Sequence, residues 1–118
     1  MKTPYTVVRS GPARRDLNLI YSHLVESHIG FGHPPDEAHD RAAERLQKIH
    51  AAMEGLGRAP FQGTLRQDLM PGLRQVTKDQ VIFYFTTDEP AYRLTVLAIF
   101  FGGQDHRRHM LIRLSGEG

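Results

Sequence analysis

A short polar segment at positions 106–109 contains two histidines separated by two arginines. Histidine can accept or donate a proton near neutral pH, and arginine can hold a phosphate through paired hydrogen bonds. Cleavage of RNA by attack of its 2′-hydroxyl requires a base, an acid and cations that spread the phosphate charge. His106 or His109 could supply the acid or the base, and Tyr84 could stack on a nucleobase or donate a proton. The cations that could hold the phosphate are Arg74, Lys78, Arg107 and Arg108.

Two of these candidates also have a purely structural interpretation. Tyr84 lies in an apolar run and is typical of a core residue whose hydroxyl reaches the rim of the core. Arg74 could be a half-buried sheet residue paired with a carboxylate rather than a phosphate ligand. The sequence favours the structural interpretation for Tyr84 and leaves both interpretations open for Arg74.

The spacing of His106 and His109 also resembles a metal-ligand pair. In a loop, two histidines without a third ligand make a poor metal site, and the arginines between them would repel a cation. The other five histidines are scattered, and the chain contains no glycine-rich phosphate loop or nucleophile elbow. We therefore expect neither a metal ion nor a cofactor.

The elements that must position these groups are organised around residues 72–103. Aromatic and β-branched residues crowd this stretch, and polar or proline-containing turns divide it. The pattern predicts a three-stranded antiparallel meander with strands at 73–76, 81–87 and 92–101.

Two amphipathic helices are predicted before the meander. In the first, at about 12–28, the apolar residues Ala13, Leu17, Ile20, Tyr21 and Leu24 share one face. In the second, from 35 to about 56, steps of three and four connect Ala38, Ala42, Leu46, Ile49, Met53 and Leu56. The short linker between them, with its glycines and prolines, indicates an antiparallel helical hairpin.

Three further segments complete the prediction. Residues 5–9 form a short strand that should pair with the later sheet. Residues 58–70 are a connecting segment, which Phe61 and Leu65 should anchor to the core. Residues 110–114 are predicted as a last short strand or helical turn. The order β-α-α-β-β-β indicates an α+β fold, with the helical hairpin on one face of a small antiparallel C-terminal sheet and the other face or an edge left open.

Composition places limits on the protein class. The chain has 118 residues, which fits a single domain over 1–118. It has no cysteine, which excludes disulfides and thiolate zinc sites. The net charge of +2 allows a nucleic acid or an acidic protein as partner without requiring either. With no apolar run long enough to cross a bilayer and no signal-peptide core near the start, a cytoplasmic protein without membrane contact is expected.

Three strings in this order resemble the RelE/ParE superfamily of toxins from type II toxin–antitoxin, or plasmid stabilisation, systems. Residues 13–17 read Ala-Arg-Arg-Asp-Leu, like the first-helix signature of ParE-type toxins. Gly72-Leu73-Arg74, followed by Val-Ile-Phe-Tyr at 81–84, is similar to the central hairpin of the family. Residues 101–105, Phe-Gly-Gly-Gln-Asp, fall where the family has a basic turn. The resemblance covers about residues 5–114.

The resemblance implies a growth inhibitor. Two differences between this sequence and the pattern of the RNase members favour the ParE-like branch, whose members poison DNA gyrase. Strand 81–84 lacks the arginine that ribosome-dependent RNases of the superfamily often carry there. The usual basic turn is Gly103-Gln104 here, so its charge moves outward to Arg107 and Arg108. The alternatives are a RelE-like, ribosome-dependent mRNA endoribonuclease and an inactive member that only binds an antitoxin.

All three alternatives imply a cognate antitoxin and a toxin–antitoxin hetero-oligomer. Antitoxins of this class carry a tail that folds on the toxin, and such a tail would lie along an exposed groove or sheet edge. The arginines expected to pair with an acidic tail are Arg14, Arg15, Arg41 and Arg74.

Overall fold

A mixed five-stranded sheet is the central layer of the computed structural model, which describes residues 3–101 and 105–116. The strand order is β1-β5-β4-β3-β2, and helices lie on both faces. The elements are β1 (Thr6–Arg9), α1 (Gly11–Gly30), α2 (Pro35–Gly55), a 3-10 turn (Leu56–Arg58), β2 (Thr64–Leu65), β3 (Arg74–Lys78), β4 (Val81–Asp88), β5 (Arg93–Phe101) and α3 (His106–Leu114). Within the described residues, no helix is long and apolar enough to span a membrane.

The helical hairpin follows from local signals at its ends. The Ser10 hydroxyl accepts a hydrogen bond from the Ala13 amide at 3.1 Å, which caps α1, and Pro12 occupies its first turn. Asp36 and Glu37 occupy the first turn of α2, where negative charge is favourable. The predicted hairpin at 12–28 and 35–56 is confirmed, with α1 longer by one residue at its start and two at its end.

The predicted apolar stripes are buried partly against the sheet and partly between the two helices. The main core lies between the hairpin and one sheet face. Its buried members are Ala13, Leu17, Ile20, Ile49, Met53, Leu56, Val81, Phe83, Phe85, Leu94, Val96 and Ile99. Farther along the hairpin, the small residues Ala38 and Ala42 are fully buried against Val25, so the helices are close at that end. Burial of this apolar surface is the main force that holds the two layers together.

The opposite face of the sheet carries a second core that the sequence did not predict. Leu73, Ile82, Tyr84, Ala98 and Phe100 bury their side chains there, together with Met110 of α3. The segment predicted as a short strand or helical turn at 110–114 is the second half of this nine-residue helix. The side chain of Asp105 caps the helix by accepting from the Arg108 amide at 3.4 Å. This face is therefore partly covered rather than open.

The sheet differs from the predicted one in two details, while the α+β fold itself is confirmed. β1 pairs with β5 in parallel, so the sheet is mixed rather than wholly antiparallel. A four-residue strand has the same alternation in either direction, so the sequence could not show this. The segment at 58–70 contributes β2, which pairs with β3. Phe61 and Leu65, expected to be core anchors, are 49% and 43% exposed.

The β3–β4 turn places two non-glycine residues in the left-handed region, Asp79 at φ 50° and Gln80 at φ 68°. Positive φ at both central positions is the pattern of a two-residue hairpin turn that prefers glycine second. Replacing Gln80 by glycine should raise the free energy of unfolding by about 1 kcal/mol, because it removes the steric cost of that conformation. Urea unfolding measures this gain. The Gln80→Ala variant is the control, and an equal gain there would contradict the explanation.

Candidate functional site

Tyr84 is the centre of a polar cluster on the α3 side of the sheet. It lies in the middle of β4 with a fully buried side chain, which confirms the interpretation of a core residue with its hydroxyl at the rim. The Tyr84 hydroxyl is 2.7 Å from Nδ1 of His106, the first residue of α3. The α3 helix therefore places His106 in hydrogen-bond contact with Tyr84, although the two residues are 22 positions apart in the sequence.

Arg66, from the segment between β2 and β3, is a cation whose charge acts on Tyr84. Its Nε donates to Oδ1 of Asp68 at 3.0 Å and its Nη2 donates to Oδ2 at 2.9 Å, a bidentate pair. Its Nη1 donates to Oε1 of Gln75, the residue opposite Tyr84 in the β3–β4 register. The Arg66 side chain is only 18% exposed, and its hydrogen bonds to Asp68 and Gln75 fix its position.

The electrostatics of the cluster follow from these contacts. Burial raises the pKa of Tyr84 above its ordinary value of 10.0, and the neighbouring Arg66 and Arg107 oppose that rise. The Arg66 guanidinium holds the pKa of the Asp68 carboxyl below its usual range. Tyr84 is therefore a neutral phenol at neutral pH, and Asp68 is ionised.

The raised pKa of Tyr84 predicts an effect on stability at high pH. A phenol that resists ionisation more in the folded chain than in the unfolded chain contributes stability that is fully present below pH 10.0. That contribution is lost as the pH rises through the folded pKa. The Tyr84→Phe variant should therefore lose less stability than the parent above pH 10, as measured by urea unfolding at a series of pH values. Parallel curves for the two proteins would contradict the assignment.

The basic residues that follow His106 in the first turn of α3 lie at the rim of the cluster. Nη2 of Arg107 is 3.8 Å from Oδ2 of Asp68, and its side chain is 58% exposed. Arg108 is exposed one position further. His109 lies against the Phe100 ring at a centroid distance of 5.6 Å, one helical turn from His106. The rim can therefore present one or two guanidinium groups and a second imidazole to a ligand.

The structure separates Arg74 and Lys78 from this cluster. Arg74 lies opposite Phe85, which belongs to the core on the hairpin side, so it is on the other face of the sheet from Tyr84. Its Nη1 donates to the Phe61 carbonyl at 2.8 Å, and its guanidinium is 5.5 Å from the Phe61 ring centroid, in place of the expected carboxylate. Lys78 is exposed at the β3–β4 turn.

The other arginines predicted to bind a partner are on the outside of the hairpin. Arg14 and Arg15 are exposed on α1. Arg41 is exposed on α2 and donates from Nε and Nη2 to Oε1 of Glu37, at 3.1 and 3.0 Å. The string at 101–105 that contributed to the family resemblance lies partly outside the described residues, since 102–104 are among those not described.

Sequence reasoning missed Arg66, Asp68 and Gln75. Arg66 and Asp68 lie in a segment without periodicity that was interpreted only as a connection. Gln75 could have been found, because alternation along β3 places it on the face opposite to Arg74, the face of Tyr84. The Arg-x-Asp string directly after Thr64-Leu65 is the remaining signal.

The Tyr84–His106 pair can accept or donate a proton, and the guanidinium groups beside it can attract an anionic ligand. With His106 Nδ1 donating to the Tyr84 oxygen, Nε2 is a proton acceptor; with the Tyr84 hydroxyl donating to Nδ1, Nε2 carries the proton. Among residues 3–101 and 105–116, no group of three or more histidine, aspartate or glutamate side chains could hold a metal ion. The Tyr84–His106 pair can take part in acid–base chemistry beside the guanidinium groups of Arg66 and Arg107.

Comparisons with known proteins give matches in structure. No protein-family model and no curated protein sequence matches the chain. It is similar to a chain of the toxin–antitoxin complex RelBE2 from Mycobacterium tuberculosis, at 20% identity and a TM-score of 0.59, over 86% of this chain and 94% of that one. It is also similar to a chain of the chromosomal ParDE system from P. aeruginosa, at 20% identity and a TM-score of 0.62, over 82% and 95%. The α+β architecture expected from the sequence is therefore confirmed: this chain has the RelE/ParE fold.

Proposed function

We propose that the chain is the toxin of a type II toxin–antitoxin pair, and that it arrests growth until a cognate antitoxin neutralises it. The RelE/ParE fold supports this proposal, together with the short strings that resemble the same superfamily. Expression in a bacterial host without an antitoxin should stop growth. Unaffected growth at high expression would favour the inactive, antitoxin-binding alternative.

The surface of α1 supports an antitoxin partner. A groove of about 610 Å³ lies between α1, the end of β5 and α3. Leu19 lines it and is 68% exposed, a large apolar side chain on an otherwise polar helix face. Arg15 and His23 lie four residues to either side of Leu19, so this face combines an apolar contact with basic groups. An amphipathic tail with acidic residues would complement it, and a Leu19→Glu variant should remain toxic in the presence of an antitoxin that protects against the parent.

For the target, the geometry supports RNA cleavage best. The observation that carries this proposal is the 2.7 Å contact between Tyr84 and His106, with Arg66 and Arg107 beside it. The resemblance favoured gyrase because of the ParE-like helix string, the strand 81–84 without a cation and the missing basic turn, but Arg66 supplies a cation from a neighbouring segment. Acid–base groups next to guanidiniums are what 2′-hydroxyl attack on a phosphodiester requires.

In this proposal each residue has one task. His106 takes the 2′-hydroxyl proton at Nε2 while Tyr84 holds its other ring nitrogen. Arg107 and Arg66 spread the charge that develops on the phosphate. The new bond joins the 2′-oxygen to phosphorus, the bond from phosphorus to the 5′-oxygen breaks, and His109 gives that oxygen a proton. The products are a 2′,3′-cyclic phosphate and a 5′-hydroxyl.

A translating extract tests this proposal directly. Added purified protein should cut mRNA within the ribosome and leave 5′-hydroxyl ends that accept a labelled phosphate from a kinase without prior phosphatase treatment. Intact mRNA at saturating protein would contradict the proposal.

Gyrase poisoning is the second candidate, and one observation favours it. Arg66 is already neutralised by a bidentate carboxylate, Asp68, which competes with any phosphate for the same guanidinium. A protein that acts by docking on gyrase needs no free cation at this position. Loss of supercoiling by purified gyrase on addition of the protein, with mRNA left intact in the extract, would support this candidate over the first.

A further inference from the structure

Asp16 is the one buried charged residue in the part of the chain that the structure describes. It lies on α1, in the Ala-Arg-Arg-Asp-Leu string at 13–17, and is only 5% exposed. It does not touch the Tyr84 cluster, and its neighbours in the string are surface arginines and core residues. A buried carboxylate requires specific partners, so its contacts show what it does.

Asp16 connects three elements through its two oxygens. Oδ2 accepts the amide proton of Ile99 in β5 at 2.9 Å. Both oxygens bind Arg113 in the last turn of α3, with Oδ2 to Nη1 at 2.6 Å and Oδ1 to Nη2 at 2.8 Å. Bidentate pairing of this kind fixes orientation as well as distance.

Asp16 and Arg113 bind backbone groups at the edge of β5 beyond the end of β1, where the Ser10 hydroxyl also donates to the Leu97 carbonyl at 3.3 Å. The β1–β5 pairing ends at the Arg9–Val96 pair, which leaves the next groups on that edge without a strand partner. Asp16 accepts the Ile99 N–H, and Arg113 donates to the Leu97 carbonyl at 3.2 Å. The Arg113 guanidinium also lies 5.3 Å from the Phe100 ring centroid. Both members of the ion pair therefore contact β5: Asp16 at the Ile99 N–H, and Arg113 at the Leu97 carbonyl and the Phe100 ring.

The α3 helix extends from this edge to the candidate site. Arg113 in the last turn of the helix forms the ion pair, and Met110 in its middle is buried in the second core. His106, its first residue, contacts the Tyr84 hydroxyl. Leu111 and Ile112 are 43% and 40% exposed, so apolar packing of α3 depends largely on one face. A rotation or shift of the helix at Arg113 would move His106 away from the Tyr84 hydroxyl.

We propose that Asp16 is a positioning residue of the candidate site: by holding Arg113 against the edge of β5, it sets the position of α3 and so keeps His106 Nδ1 on the Tyr84 hydroxyl. The effect on cleavage rests on the proposed ribonuclease function. The effect on His106 does not, and the two are measured separately.

The test uses Asp16→Asn, which keeps an amide oxygen for the Ile99 N–H and removes the charge that binds Arg113. Nitrogen NMR of the histidine rings should show the His106 signals shifting toward those of a free imidazole. His39 is an internal reference, because its Nδ1 is 2.9 Å from the Tyr21 hydroxyl, and its signals should stay unchanged. Amide exchange over 106–114 should accelerate about tenfold or more, while exchange in α2 and β4 stays constant. Asp40→Asn, on the exposed side of α2, is the matched control.

Arg113→Met provides a second route if Asp16→Asn does not fold, since it leaves Asp16 its bond to the Ile99 N–H. It should displace the His106 signals in the same way, and Arg113→Lys, which keeps the charge, should displace them less. Unchanged His106 signals in a folded variant, or equal effects of Met and Lys, would overturn the proposal. If the parent cleaves mRNA, the displaced variants should cleave about tenfold or more slowly. If the parent cleaves none, the NMR result still decides the positioning role.

Discussion

Replacing Arg66 by alanine should reduce mRNA cleavage by about 100-fold or more, if the chain is the ribonuclease that its geometry supports. Arg66 is the least exposed cation of the cluster, and its positive charge acts on the Tyr84 hydroxyl. A fixed guanidinium needs no rearrangement when charge develops on the phosphate, so its removal should raise the barrier directly. The measurement is the rate of mRNA cleavage in a translating extract under single-turnover conditions.

Lys78→Ala is the matched control for this result. It also removes one positive charge, but from the β3–β4 turn, away from the cluster. Its cleavage rate should stay within about threefold of the parent, since it changes only the general field. Equal losses in the two variants would show that only the net charge of the protein matters. A fully active Arg66→Ala would remove the cluster from the mechanism.

Replacing Gly57 by alanine should destabilise the fold by about 3 kcal/mol, because no space exists for a side chain at this position. Gly57 is buried in the 3-10 turn after α2. A Cβ added there would lie 2.2 Å from the Tyr5 carbonyl oxygen and 3.1 Å from Cγ2 of Val7. The clash is with backbone, and the Gly57 carbonyl also accepts the Tyr5 amide proton at 2.8 Å. Relief therefore requires displacement of β1 from the turn.

Gly55 provides the control two residues earlier. A Cβ at Gly55 would meet nothing within 4 Å, and the residue lies in the last turn of α2. Gly55→Ala should be neutral or stabilise by up to about 1 kcal/mol, because alanine has the higher helix propensity. Urea unfolding of both variants measures the difference. A Gly57→Ala protein as stable as the Gly55→Ala protein would mean that β1 does not dock on the turn.

The elements with strong periodicity were predictable from the sequence, and those held by distant contacts were not. Five steps of three or four positions connect the apolar residues of α2, so the sequence predicts its buried face from Ala38 to Leu56. The α3 helix is fixed by Met110, the Asp105 cap and the ion pair of Arg113 with Asp16, 97 positions earlier in the chain. No local pattern can reveal a partner at that separation, which is why this segment was predicted as a strand or a single turn.

The candidate site shows the same limit. Tyr84 and the histidine segment were identified by residue type, and the structure brings Tyr84 and His106 together. Arg74 was selected for its charge, although alternation along β3 places it on the other sheet face. Arg66 was missed because its role depends on a segment whose path follows from tertiary packing rather than from local propensity. The residue types suited to the site were therefore easier to predict than which of those residues lie close together in the fold.

The parallel pairing of β1 with β5 sets the order in which the molecule can assemble during synthesis. The first strand has its partner at residues 93–96, so it must wait until almost the whole polypeptide has left the ribosome. The helical hairpin depends on near neighbours and can form early, with its apolar stripes still in water. The domain therefore closes in a late step, and a nascent chain truncated before β5 would be a substrate for chaperones rather than a working protein.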